Sequence, residues 1–241
     1  MRLNQIMSAD GQEAYLAERR APYFAKAEKY LATHFAPLCA PLQPPTLRAV
    51  VESAFHDART WGFRTERELL RYLIPTALLG EGFAGDPLLR PLLRAAFWIN
   101  AQDRPLRSPG FPRLFDVVDM WHRRRRRDLD APDRFATALS TPLPAQIAYP
   151  DAQRLFRACW PNLLQNIPPD VLRRFADTGL KALQSDGIGL DVAVRLLAVQ
   201  VGAGHRAGRA NFHPDLCAAA REGRFDATAG LAALTSMETS S

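Results

Sequence analysis

Five consecutive arginines in WHRRRRRDLD, at 121–130, form the sharpest cluster of chemistry-bearing side chains in this chain. Guanidinium groups at that density can contact phosphate, lipid headgroups or an acidic protein patch. On a helix, Arg123, Arg124, Arg125, Arg126 and Arg127 spread around the circumference, so some must point away from any core. Asp116, Asp119, Asp128, Asp130 and Asp133 surround the run. They offer ion-pair partners and blunt the field that a nucleic acid would need. The run is expected to be a solvated, internally paired face or a contact for an acidic protein partner. Nucleic acid and membrane come third.

The other candidates fall short of a reaction centre. His205 and His213 lie near Cys217, but a metal site needs more converging ligands, and there is no Cys-x-x-Cys or His-Glu-x-x-His. His56 and Asp57 are adjacent, and neighbours on a helix do not share a face. His122 has no nucleophile beside it. GEGFAG at 80–85 and VGAGHRAG at 201–208 lack the lysine and strand context of a phosphate loop. They read as helix breaks. No catalytic residue, metal or cofactor is expected. Phe83, between glycines in GEGFAGDP, is a candidate anchor for a protein partner if its loop is exposed. The competing expectation is that it folds back and caps a hairpin core.

The elements that would position these residues are helical. From Gln12 to Thr33, Tyr15, Leu16, Tyr23, Phe24, Ala27, Tyr30 and Leu31 recur at helical spacing, and Pro22 is expected to kink or divide the segment. Leu47, Val50, Val51, Ala54, Phe55 and Ala58 make one apolar face. Gly62 ends that helix, and Thr65 stands three residues before Glu68, the spacing of a capping box. The span 46–79 is therefore an αα-hairpin with a tight joint. Asp86–Pro87 suits a helix start, and helices are expected over Leu88–Asn100 and from Leu114 to about Arg127. Residues 128–150, with four prolines, read as an irregular connector.

The second half resembles the first. HFAPLCAPLQPP can be laid over ACWPNLLQNIPP so that Pro37, Pro44 and Pro45 fall on Pro161, Pro168 and Pro169. Gly62 then meets Gly187, and two helical stretches near 170–184 and 190–203 match the first hairpin. This predicts an all-α fold, an irregular bundle of helical hairpins, with two similar halves about a pseudo-two-fold axis. The alternative is that helical hairpins simply resemble one another. The expected organisation is a unit at 1–127, a connector at 128–150 and a second unit at 151–241, packed as one body.

At 47% apolar residues, the chain has enough apolar side chains for a packed core. An odd count of dispersed cysteines, Cys39, Cys159 and Cys217, argues for buried thiols over a disulfide framework. No apolar run of membrane-spanning length and no secretory signal pattern is visible, so a cytoplasmic location is expected. The net charge of +6 favours acidic surfaces without specifying one.

FHDARTWGFRTERELLRYLIPTALLGEGFAGDP resembles a segment of small all-helical bacterial proteins encoded beside type VI secretion effector genes. The shared pattern falls on Gly62, Phe63, Thr65, Glu66, Arg67, Tyr72, Gly80, Phe83, Asp86 and Pro87, and YFAKAEKYLATHF at 23–35 is similar to the usual opening. The likeness covers about residues 20–90. Where those proteins carry a longer apolar–aromatic run in the second hairpin helix, this chain has IPTALLG with Pro75, and the second half has no assignable motif. The resemblance implies an accessory of an exported toxin and no catalytic residues. The expected function is a non-catalytic adaptor or chaperone whose partner is a secreted effector or a secretion-apparatus component. Alternatives are an immunity protein against a cytoplasm-acting toxin, and a nucleic-acid-binding regulator using Arg123–Arg127.

Overall fold

A computed structural model describes residues 9–102, 104, 106, 111–204 and 214–238. Among them are helices and turns but no strand, so the fold is all-α. The first half comprises α1 (Ala9–His34), a single turn α2 (Ala36–Cys39), α3 (Pro44–Thr60), α4 (Glu66–Leu79), α5 (Arg90–Ala95) and α6 (Phe111–Leu129). After α7 (Pro132–Ser140) come α8 (Tyr149–Cys159), α9 (Pro169–Ser185), α10 (Leu190–Ala203), α11 (Pro214–Arg221) and α12 (Ala227–Glu238).

Three expectations about these elements need correction. Of the two outcomes expected at Pro22, a kink or a division, division is excluded, because α1 runs through it. Pro22 is exposed, so water can reach the carbonyl that lacks its helical donor. The stretch 128–150 is not an irregular connector throughout, because α6 extends to Leu129 and α7 buries Phe135, Ala138 and Leu139. Pro132 sits in the first turn of α7, where a missing N–H costs nothing. The helix expected over Leu88–Asn100 shrinks to Arg90–Ala95. By contrast, the capping box forms: Thr65 accepts from the Glu68 amide, and the Glu68 carboxylate accepts from the Thr65 amide at 2.9 Å.

The two halves repeat each other in detail. Helices α3 and α9 each have 17 residues, and α4 and α10 each have 14. Both hairpin joints use a left-handed glycine, Gly62 at φ 91° and Gly187 at φ 78°. In both, the next amide reaches back five residues, Phe63 to the Ala58 carbonyl and Ile188 to the Leu183 carbonyl, each at 3.1 Å. This is the Schellman closure, which satisfies carbonyls that the helix end leaves free. Around each hairpin, α1 and α6 flank α4 as α8 and α12 flank α10.

The halves meet where α4 and α10 end. Gly80 (φ 95°) and Gly204 (φ 98°) terminate them in matching conformations. A Cβ on Gly80 would lie 2.8 Å from Gly204 Cα, and a Cβ on Gly204 would lie 2.8 Å from Gly80 Cα. Such reciprocity is what a two-fold axis between the two glycines produces. One apolar core continues across this seam, from Phe24 and Leu31 of α1 to Leu196 and Val199 of α10.

Candidate functional site

The arginine run divides according to the turn of α6. Arg123, Arg126 and Arg127 are exposed, Arg124 is half-buried, and Arg123 pairs with Asp119 at 2.8 Å. Arg125 is 0% exposed. Its Nη1 donates to the Leu78 carbonyl at 2.9 Å and to the Gly202 carbonyl at 3.2 Å. Those carbonyls occupy the thirteenth position of α4 and of α10 respectively. One guanidinium therefore caps both helices where the two halves meet, at the negative ends of two helix dipoles. A second nitrogen, Nη2, lies 3.0 Å from His122 Nδ1. The expectation that Arg125 steers a partner at the surface is thus corrected: this arginine belongs to the core.

One turn further along, Asp128 is also buried. It accepts from the Asn162 amide at 3.1 Å, the Asn162 side chain at 2.7 Å and the Leu163 amide at 2.9 Å. The carboxylate fastens α6 to the turn after α8, and charge-assisted bonds of this kind are the strong ones.

For Phe83 the anchor reading is corrected, and the competing one, that it caps the hairpin core, holds. It is 0% exposed, and its ring stacks on Tyr72 with centroids 4.9 Å apart. Left-handed Gly82 (φ 70°) turns the chain inward, and Phe83 enters a 3-10 turn over the hairpin. It caps the core and does not present a surface anchor.

Among the described residues the exposed large apolar side chain is Phe97, at 61% exposure. It ends α5 in the same Schellman geometry as the hairpin joints, with the Trp98 amide reaching the Leu93 carbonyl at 2.8 Å. At the equivalent positions Gly62, Gly187 and Gly223 have positive φ, whereas here phenylalanine takes φ 55°. A left-handed side-chain-bearing residue costs on the order of 1–3 kcal/mol. The Arg113 guanidinium lies over the ring at 4.7 Å. Sequence patterning does not signal this position, because no glycine marks the helix end.

Beside Phe97 lies a continuous aromatic cluster. Trp98 is buried against Phe63 and Phe111, and Arg71 covers the Phe111 ring at 5.8 Å. Arg71 also lines an open groove of about 440 Å³ between α1 and α4, with Lys26, Tyr30, Glu66, Arg67 and Leu70. Lys26 pairs with Glu66 across it. Burial raises the Tyr30 phenol above its usual range, and burial followed by the Glu66 charge raises Tyr23 nearby, so both stay neutral at physiological pH.

The remaining polar candidates are not brought together. The Asp57 carboxylate accepts from the Tyr72 hydroxyl at 2.7 Å, while His56 is exposed beside it. Cys39 and Cys159 are buried, with their thiols pushed up to about 11 and about 12 by desolvation. His205, His213 and the Cys217 side chain lie outside the described residues. Among the described residues no group of His, Cys, Asp and Glu could hold a metal ion, and no helix is long and apolar enough to cross a membrane. No family model, curated protein or solved structure matches the chain.

Proposed function

We propose that this protein is a non-catalytic binding partner, an adaptor or chaperone for a type VI secretion effector. The observation that carries the binding reading is Phe97. Folding gains little from an aromatic ring that stays exposed, yet the backbone bears a left-handed conformation to display it. Strain of this kind concentrates at sites of function. Burying such a ring in a partner's pocket would recover the apolar transfer energy that folding leaves unused. The adjacent Arg113, together with the exposed Arg123, Arg126 and Arg127, suits a partner with acidic patches, for which charges mainly set the association rate. The type VI assignment rests on the likeness of residues 20–90 to effector-associated proteins.

The test replaces Phe97 with glycine and measures binding to the products of neighbouring effector and secretion-apparatus genes. Glycine relieves the left-handed strain, so Phe97→Gly should fold at least as stably as the parent. Partner affinity should fall by about 1–3 kcal/mol. Undiminished affinity in the folded variant, or no partner among those products, would refute the reading. Protection of cells from a neighbouring toxin by this protein alone would replace the adaptor role with immunity. Tight, steeply salt-dependent binding to an oligonucleotide would favour a nucleic-acid regulator instead.

A further inference from the structure

In the second half, α7 lies across the trough between α8 and α12 and packs on both. It reaches α10, the floor of that trough, through Trp160 at one end and directly through Arg195 at the other. Phe135 packs edge-on against Trp160 at 5.2 Å, and the Trp160 indole lies on Gly202 and donates to the Ala198 carbonyl. At the other end, Arg195 donates to the Thr141 carbonyl at 3.0 Å. Helix α7 thus runs antiparallel to α10. Its Phe135, Ala138 and Leu139 point inward, and its carbonyl end rests on an arginine.

The corresponding trough in the first half is floored by α4 and flanked by α1 and α6. Among the described residues no further helix packs extensively on both α1 and α6 as α7 does on α8 and α12. Its α1 side is the open groove lined by Lys26, Tyr30, Glu66, Arg67, Leu70 and Arg71. Arg71 is the sixth residue of α4, as Arg195 is the sixth of α10. Where Arg195 has a helix end to hold, Arg71 is exposed.

We propose that this groove receives a short amphipathic helix of a protein partner, seated as α7 is seated in the second half. Its apolar residues, at the i, i+3, i+4 spacing of Phe135, Ala138 and Leu139, rest on Tyr30 and Leu70. Its C-terminal end lies over Arg71. Charge selects an acidic occupant. Lys26 and Glu66 neutralise each other, and among the described residues Arg67 and Arg71 pair with no carboxylate. Two cations beside an apolar floor suit carboxylates near the end of a helix better than a phosphate backbone, which rewards a longer row of charges. The proposal rests on the protein-binding reading and names the chemistry of the bound segment.

The probe is a fluorescently labelled synthetic peptide of about four helical turns. It carries Phe, Ala and Leu in the α7 spacing and glutamates towards its C-terminus. Anisotropy is measured with the full chain, with Arg67→Glu/Arg71→Glu, and with Arg173→Glu/Arg174→Glu as a control of equal charge on α9. The peptide should bind the parent in the micromolar range, and the groove variant should bind about tenfold more weakly or worse, with the control unchanged. A scrambled peptide that breaks the apolar face should not bind. Equal binding of the scrambled peptide, equal loss in both variants, preference for an oligonucleotide, or self-association at the groove in place of peptide binding would each overturn the proposal. If Phe97→Gly loses a natural partner while the groove variant keeps it, the groove assignment fails and the protein-binding reading stands. If neither partner nor peptide is bound, both fail.

Discussion

Arg125 illustrates how a surface-looking residue becomes structural. Its neighbours in the run are exposed or half-buried, but the 3.6-residue turn brings this one inward, where two helix-end carbonyls await donors. Removing the guanidinium would strip both carbonyls of this donor and leave a cavity where the two halves meet. Arg125→Ala should therefore lower unfolding free energy by at least about 3 kcal/mol. Arg126→Ala, one residue on and exposed, should stay within about 0.5 kcal/mol. Urea midpoints at unchanged m-value would settle the comparison, and similar values for the two variants would contradict the bridging role. Phe97 is the converse case, an apolar side chain held outside by its backbone.

At the scale of elements, the hairpins depend on how their helices begin and end. Helix α4 begins with the reciprocal Thr65–Glu68 box, and the Glu68 carboxylate also accepts from the Arg64 amide at 3.1 Å. Hydrogen bonds from the Thr65 and then the Arg64 backbone hold the Glu68 carboxyl below its ordinary value of 4.5. A depressed acid contributes stability that is fully present above its unfolded value and disappears as pH falls through the folded one. Glu68→Gln should thus lower the melting temperature at neutral pH, with the gap from the parent narrowing below about pH 4.5. A gap that stays constant from pH 7 to pH 3 would show that the carboxylate charge is not what the cap uses. Helix α5 lacks a glycine at its end, and Phe97 occupies that place.

Across the whole molecule, the shared core and the seam make the halves interdependent. Gly80 and Gly204 are packed too closely for any side chain, Arg125 serves both floor helices, and Asp128 ties α6 to the turn after α8. Chains of this length often unfold in stages, yet a continuous core opposes it. Buried Trp98 reports the first half and buried Trp160 the second. Variants that keep only one of these tryptophans, with the others changed to Phe, should show coincident urea transitions that also match loss of helical circular dichroism. Separated transitions would mean that the seam is weaker than its contacts suggest.

The all-helical class, the first hairpin, its capping box and the matching second hairpin were legible in the sequence. Each depends on neighbours within a few residues, through apolar periodicity, a left-handed glycine or a side chain reaching the nearest helix end. Burial of Phe83 was one of two readings left open, while burial of Arg125, exposure of Phe97 and the opening above α4 were not legible. Those outcomes depend on where α6 and α7 pack and on which carbonyls lie across the seam. A five-arginine run reads the same whichever arginine faces the core, and a phenylalanine in a left-handed turn leaves no glycine to mark it. Local sequence determined the helices; long-range packing decided which side chains remained available to a partner.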